Sequence, residues 1–134
     1  MVAPAFGNYS LALIHAGAIV HSSRGRGIMP LITCLEDCRS RYRDCTLHDK
    51  VIGLAAAKLA VYSGIVGSVV TNVASKASAD FLEEKGLALV AGEIAANILT
   101  SDHSAVCPGE IIAQGTDDYE SLVAQLRAML GNQG

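Results

Sequence analysis

The stretch that decides the fold runs from residue 65 to residue 91 and reads IVGSVVTNVASKASADFLEEKGLALVA. Its first part, Ile65 to Val73, reads as a strand without alternation of polar and apolar residues, which is typical of a central parallel strand covered on both faces. Ser75 or Ser78 can cap the helix that follows, and Leu87 to Ala91 reads as a second buried strand. Because strand, helix and strand follow one another with short connections, the sequence predicts a βαβ unit in an α/β fold.

The residues before this unit predict a hairpin and two helices. Residues 9–14 and 18–21 are short β-rich runs separated by a tight turn, which indicates a β-hairpin. Residues 28–35 have apolar positions at helical spacing, and a charged connector follows at 39–44. A helix is expected from His48 or Asp49 to Ser63. It is apolar almost all round, which favours burial on several sides.

The residues after the unit predict mainly helices. Residues 93–99 are expected to form one or two helical turns, and 100–106 a polar surface loop. One helix should begin at Pro108, since proline is favoured in a first turn, and a last helix should end at Gly131. With 134 residues and no linker, the chain fits one domain, residues 1–134, with an ordered core from about 9 to 130.

Composition excludes several classes of protein. The formal net charge is −3, so nothing indicates a nucleic-acid partner or a charged membrane surface. The one candidate membrane span, Val51 to Val70, has Lys58 near its centre and is better explained as a buried helix followed by a strand. No signal peptide is visible at the start, and four cysteines without a secretion signal predict reduced thiols in a cytoplasmic protein.

Several short motifs occur in an order that resembles a known family. They are the segments 25–31, 49–53, 62–64 and 107–110, which read GRGIMPL, DKVIG, YSG and CPGE. Over about residues 10–129 the chain is similar to a small prokaryotic family that forms a domain of unknown function in the cytidine deaminase superfamily. The resemblance implies a cytidine-deaminase-like fold, a three-layer α/β/α sandwich with a mixed sheet. It implies no established activity.

The sequence argues against zinc-dependent deamination. Such enzymes need His-x-Glu or Cys-x-Glu at one helix start and Pro-Cys-x-x-Cys at the next. The first place reads HDK at residues 48–50, so Lys50 stands where the glutamate is required. The second reads ASKAS at 74–78 and contains no cysteine. We therefore expect neither a catalytic zinc nor deamination of cytidine, adenosine or guanine.

A second possible zinc site consists of Cys34, Cys38, Cys45 and His48, since tetrahedral sites with three cysteines and one histidine exist. Against it, one helix would donate two ligands and no paired cysteine knuckle occurs. Core packing explains these cysteines better. The sequence therefore predicts no bound metal and no cofactor.

Cys107 is the candidate nucleophile. It precedes Pro108 at a helix start, where free N–H groups favour the thiolate, and His103 in the same loop could act as a base. The alternative is a structural thiol at an N-cap. We expect the loop that holds Cys107 to fold over the helix that starts near Asp49, so that Cys107 and Lys50 border one pocket.

The leading hypothesis is a module or non-zinc enzyme that binds a small anionic, nucleotide-like ligand. The glycine-rich loop at 24–27 could hold a phosphate or carboxylate through N–H groups and guanidinium groups. The candidate ligand-binding residues are Arg26, Asp49, Lys50 and Ser75. The competing hypothesis is a structural or interaction protein without catalysis, whose apolar helices form a homo-oligomer.

Overall fold

The computed structural model describes residues 3–97 and 108–131. The described residues form a mixed α/β fold with a six-stranded mixed sheet and five helices. In chain order these elements are β1 (Leu11–His15), β2 (Ala18–Ser23), α1 (Met29–Cys38), β3 (Cys45–Asp49), β4 (Val51–Ile52), α2 (Leu54–Ser63), β5 (Val66–Ser75), α3 (Lys76–Glu84), β6 (Ala88–Ala95), α4 (Pro108–Gln114) and α5 (Tyr119–Gly131).

The sheet is antiparallel on one side and parallel on the other. β1 lies between β2 and β3 and is antiparallel to both. β3, β4 and β6 are all parallel to β5. Because β6 occupies one edge of β5, β3 and β4 follow each other along the other edge and act as one strand interrupted at Lys50.

The predicted hairpin and βαβ unit are confirmed. β1 and β2 pair across Gly17, whose φ of +80° is the left-handed conformation that glycine adopts without strain. β5, α3 and β6 form the predicted unit, with β5 and β6 paired in parallel. The expected burial of the second strand is wrong: β6 pairs on one side only among the described strands, and none of residues 87–91 is fully buried. The predicted helix starting at Ser75 is also present, and Ser75 is its N-cap.

Two predicted elements are wrong. The helix expected from His48 or Asp49 begins only at Leu54, because the residues before it form β3 and β4. Of the helical turns expected at 93–99, residues 93–95 instead continue β6 to Ala95, and residues 98–99 lie outside the described part of the chain. In both places the side chains alternate between the two faces of the sheet, a period-2 pattern that outweighs the local helical reading.

Two hydrophobic clusters lie on opposite faces of the sheet. The main cluster contains Leu13, Leu47 and Val69 together with residues from all five described helices. α2 is its centre: eight of its ten residues are buried, and it packs against α1, α3, α4 and α5. The second cluster, on the other face, contains Tyr9, Ala12 and Ile14 with Ala5 and Phe6 packed against it.

The three-layer α/β/α sandwich stays a prediction. Within residues 3–97 and 108–131, every helix packs into the main cluster, and the N-terminal segment before β1 contributes to the second. The expected burial of α2 on several sides is confirmed. No helix among the described residues is long and apolar enough to cross a membrane, and Lys58 lies inside the core rather than in a span.

Candidate functional site

A cavity of about 730 Å³ opens where the loop before α1, the junction of β3 and β4, and the ends of three helices meet. The helix ends are the N-termini of α2 and α4 and the C-terminal part of α5. Three cationic side chains line it, from Arg24, Arg26 and Lys50, and two carboxyl groups, from Asp49 and Glu110. Its apolar lining comes mainly from Leu11, Ile28, Pro30, Val51, Ala55, Ala56, Leu126, Met129 and Leu130.

Ser10 joins the arginine loop to the strand junction. Its hydroxyl donates to the carbonyls of Ser23, at 3.0 Å, and Gly25, at 2.7 Å. Its own carbonyl accepts a hydrogen bond of 3.0 Å from the backbone N–H of Lys50. Because one residue holds both segments, the loop that carries Arg24 and the residue that interrupts the β3–β4 strand are fixed at the same side of the cavity.

Asp49 is the most perturbed carboxyl group of the cavity. Cys45 and Leu47 point into the main cluster, so the alternation of β3 turns Asp49 to the same face and into the cavity wall. Burial raises its pKa from 3.8 to about 7, against the opposing effect of backbone N–H groups of Val51 and Lys50. A carboxyl group with such a pKa can hold or release a proton near neutral pH, as general acid–base chemistry requires.

Glu110 caps a helix that lies far away in the sequence. The N-cap residue of α2 is Gly53, which has no side chain to satisfy the first N–H groups. Glu110 reaches over from α4, and its Oε2 accepts a 2.5 Å hydrogen bond from the N–H of Leu54. Burial raises the pKa of Glu110, while the N–H groups of Leu54 and Ala55 act in the opposite direction. The carboxyl group therefore occupies the N-terminus of α2.

Gly53 is required at this cap by space rather than by its backbone angles. Its φ of −97° and ψ of −175° suit any residue, but a Cβ at this position would overlap the carboxyl group of Glu110. We expect Gly53→Ala to lower the free energy of unfolding by about 1–2 kcal/mol, the usual cost of a lost cap. Chemical denaturation of the purified protein measures this loss.

The double variant separates this cause from a general packing effect. In a Glu110→Ala background the added methyl has no carboxyl group to displace, so Gly53→Ala should be neutral or stabilise by up to about 1 kcal/mol. Gly115→Ala is the matched control, because open space surrounds a Cβ there. Losses for Gly53→Ala and Glu110→Ala that simply add would contradict the cap.

Comparison with known proteins identifies the family of this chain. The family model described as "Domain of unknown function (DUF1893)" matches residues 5–130 of the chain. The chain belongs to the DUF1893 family. A crystal structure of a DUF1893 family protein from Thermotoga maritima is similar to it, with a TM-score of 0.77 and 21% sequence identity. The similarity covers 92% of this chain and 82% of that one. No protein with a curated description matches.

Membership in DUF1893 confirms part of the predicted resemblance. The sequence pointed to a family of unknown function, and the matched region, 5–130, contains all four motifs quoted above. A structural relative at 21% identity shows the fold alone, so it assigns no activity to this chain. The cytidine-deaminase-like layout is a finer statement that neither comparison makes.

The DUF1893 chain brings three of its five predicted site residues together. Arg26, Asp49 and Lys50 all line the cavity. Ser75 does not: its hydroxyl accepts a 3.1 Å hydrogen bond from the N–H of Ser78 and caps α3. Cys107, the candidate catalytic residue, lies outside the described residues, and so does its expected contact with Lys50. The next residue, Pro108, lines the cavity.

The residues that the DUF1893 chain has at the deaminase positions do not fit a zinc ion. His48 lies on the face of the sheet opposite Cys45, where its Nδ1 makes a 2.8 Å hydrogen bond with the hydroxyl of Tyr9. Ser75 caps α3, as described, and the described residues bring no cysteine to that end of the helix. The alternative set of Cys34, Cys38, Cys45 and His48, which the sequence already disfavoured, does not come together either, because the histidine faces away from the thiols.

Two residues that line the cavity of this DUF1893 chain were not predicted as site residues from the sequence. Ser10 sits in the cavity wall because two carbonyls of a distant loop accept from its hydroxyl. Glu110 reads as part of a local helix start, whereas its carboxyl group caps α2, 56 residues away. The CPGE motif singles out Glu110 in the sequence, but it does not indicate that this carboxyl group contacts Leu54.

Proposed function

We propose that the chain binds a small anionic ligand, nucleotide-like in its chemistry, in this cavity. The observation that supports this most is the mixed lining of the cavity, which contains three cationic side chains and several aliphatic ones. A phosphate or carboxylate needs the first, and a flat apolar ring system suits the second.

The charge balance favours an anion. Arg24, Arg26 and Lys50 carry three positive charges at the cavity, and all three residues are exposed. The carboxyl group of Glu110 is engaged with the N-terminus of α2, and burial holds the pKa of Asp49 at about 7. The negative charge that opposes an incoming anion is therefore reduced at neutral pH and below.

The loop before α1 adds backbone donors. α1 begins at Met29 without a side-chain cap, and the residues just before it, Gly27 and Ile28, line the cavity. The first N–H groups of a helix point toward its N-terminal end and favour negative charge there. At α1 the N–H of Met29 can take this role, because Pro30 has no N–H and the N–H of Leu31 donates to the Ile28 carbonyl at 3.1 Å. With Arg24 and Arg26, it supplies donors for an anionic group. Leu126 and Met129 of α5 supply apolar surface within the same cavity.

We expect ligand binding to raise the melting temperature of the wild-type protein. A ligand at a hundred times its Kd adds about 2.7 kcal/mol of stability, which a thermal-shift screen with phosphate, nucleosides and nucleotides detects readily. Nucleotides should raise the melting temperature more than phosphate or nucleosides do if both the cationic and the aliphatic side chains of the cavity contribute to binding.

Variants locate the binding site. Arg26→Ala and Lys50→Ala should each remove most of the nucleotide-dependent shift, because each removes a charge-assisted contact. Arg41→Ala is the matched control, since Arg41 is exposed, carries the same charge and does not line the cavity. Equal shifts in all three variants, or no shift with any compound, would contradict the proposal.

The fold proposal is a cytidine-deaminase-like layout without zinc chemistry. In its support, the described elements include the hairpin, a first helix, a buried helix, and the strand, helix and strand in the order that the resemblance implies.

A catalytic role for Cys107 also stays a prediction. Burial raises the pKa of the Cys34, Cys38 and Cys45 thiols, so rapid iodoacetamide labelling below pH 8 would distinguish Cys107. Labelling no faster than these buried thiols would leave it a structural cap.

The alternative is a structural protein that forms a homo-oligomer. One observation favours it: β5 is the only strand among the described residues that pairs with β6. Val90 and Ile94 of β6 are about half exposed, at 51% and 49%. We expect a dimer by light scattering at micromolar concentration, and Val90→Lys should shift it to the monomer because a charge at an unpaired edge opposes pairing. A monomeric wild-type protein would exclude this alternative.

A further inference from the structure

Three potential metal ligands from two elements meet beside the main cluster. They are His21 of β2 and Cys34 and Cys38 of α1. Each offers one nitrogen or sulfur atom, and these three atoms all lie within 4.8 Å of one another. Both cysteines are buried, with 0% and 2% exposure, and the His21 side chain is 19% exposed.

The fold dictates this meeting. Cys34 and Cys38 are four residues apart, so their side chains lie on one face of α1, one turn above the other. His21 pairs with Leu13 across the hairpin, and directly paired residues share a face of the sheet. Because Leu13 belongs to the main cluster, His21 faces α1, which packs against β2.

His21 has no role assigned above, whereas Cys34 and Cys38 belong to the main cluster and to the zinc set that the sequence disfavoured. None of them lines the cavity, and none is at a deaminase position. Cys45 is a third buried thiol of the main cluster, yet it is not part of the 4.8 Å group. The nearest charged partner is Asp37, whose Oδ2 lies 3.9 Å from the His21 Nδ1.

We propose that His21, Cys34 and Cys38 form a Zn²⁺ site with a fourth position open to solvent beside His21. Thiolate and imidazole are the donors that Zn²⁺ prefers, and three protein ligands plus water is a known coordination. Binding releases the two thiol protons, so two thiolates and one Zn²⁺ give a site without net charge, which tolerates burial. Bond lengths of about 2.0–2.3 Å require the donors to stand roughly 3.5–3.8 Å apart, so small side-chain movements complete the site.

This proposal replaces the prediction of no bound metal. It shares Cys34 and Cys38 with the zinc set that the sequence disfavoured, but it includes neither Cys45 nor His48. A metal site between β2 and α1 would tie the hairpin to the first helix. Such a site would link one edge of the sheet to the core. It is independent of the proposed ligand cavity, so the two ideas can fail separately.

Cobalt titration tests the site directly. The reduced, chelator-treated full chain is titrated with Co²⁺ alone, and thiolate-to-cobalt charge-transfer absorption is followed. We expect saturation at one Co²⁺ per chain, full displacement by one Zn²⁺, and loss of at least about tenfold in affinity in Cys34→Ser, Cys38→Ser and His21→Ala. Absence of the charge-transfer band would overturn the proposal.

Two further measurements keep the test decisive. Cys45→Ser is the matched control: it removes a buried thiol of the same cluster and should bind Co²⁺ like the wild type, as should Cys107→Ser. Loss of the band in Cys45→Ser would overturn the three-residue site. If the Cys34 or Cys38 variants fail to fold, the partly exposed His21 still decides, because Zn²⁺ should raise the melting temperature of the wild type and not of His21→Ala. An equal rise in both would count against it.

Discussion

Replacing Lys58 by methionine is expected to lower the free energy of unfolding by about 3 kcal/mol. The Lys58 ammonium group is buried and donates to the carbonyls of Ala113, at 2.6 Å, and Thr116, at 2.7 Å. It also contacts the carboxylate of Asp117 at 3.0 Å. Methionine keeps the apolar stem but leaves two carbonyls at the end of α4 without this donor. Charge-assisted hydrogen bonds contribute about 1.5–3 kcal/mol each, and their effects do not add fully.

Denaturant unfolding of Lys58→Met and of a matched lysine variant measures this effect. Lys76→Met is the control, because Lys76 pairs with Asp80 on an exposed face, at 3.1 Å, where such pairs contribute less than about 1 kcal/mol. Asp117→Asn should also be mild, since the Asp117 side chain is 88% exposed. A Lys58→Met loss as small as that of Lys76→Met would show that the buried ammonium group is not required at the end of α4.

Replacing Asp49 by asparagine is expected to remove a pH dependence of stability between about pH 4 and pH 7. The pKa of Asp49 is about 7 in the folded protein against an ordinary 3.8, so the folded state keeps a proton that the unfolded chain releases. Stability from this group is therefore complete below pH 4 and falls as the pH rises through 7. A shift of this size corresponds to at most about 4 kcal/mol.

The variant-minus-wild-type difference isolates Asp49 from other titrating groups. Burial lowers the pKa of His48, which acts in the opposite direction and weakens the fold as the pH falls, but His48 is the same in both proteins. The Asp49→Asn protein should match the wild type near pH 4 and exceed it by several kcal/mol at pH 8, as measured by urea unfolding. Asp80→Asn, on an exposed helix face, is the control. Parallel stability curves for Asp49→Asn and wild type would contradict the buried-acid account.

The parts of the fold that were predictable from sequence are those with one dominant local signal. β5 is rich in valine and shows no strict polar–apolar alternation, Ser75 caps α3 as expected, and the apolar α2 is buried. β3 was missed because its alternation includes His48, a polar residue that is nonetheless fully buried against Tyr9. β6 was cut short because its exposed end carries Gly92 and Glu93, which resemble the start of a helix.

The candidate site was predictable only where the loop chemistry is local. The Arg-Gly-Arg-Gly loop and the Asp49-Lys50 pair are recognisable from the sequence as candidate ligand-binding segments. Residues of both line the cavity in the structure. The cap supplied by Glu110 and the meeting of His21 with two cysteines depend on distances across the folded chain. Such contacts leave no periodic pattern, so only coordinates reveal them.

The dependence of α2 on α4 has a consequence for the order in which the chain folds. The first N–H groups of α2 are satisfied by Glu110, and its buried Lys58 is satisfied by carbonyls at the end of α4. Both contacts bridge more than fifty residues, with separations of 56 for the Leu54–Glu110 bond and 55 for the Lys58–Ala113 bond. Contacts this distant in sequence slow folding, and during synthesis they must wait for the ribosome to release the later partner. Until then α2, the most buried of the described helices, carries an ammonium group and a helix end that only water can solvate.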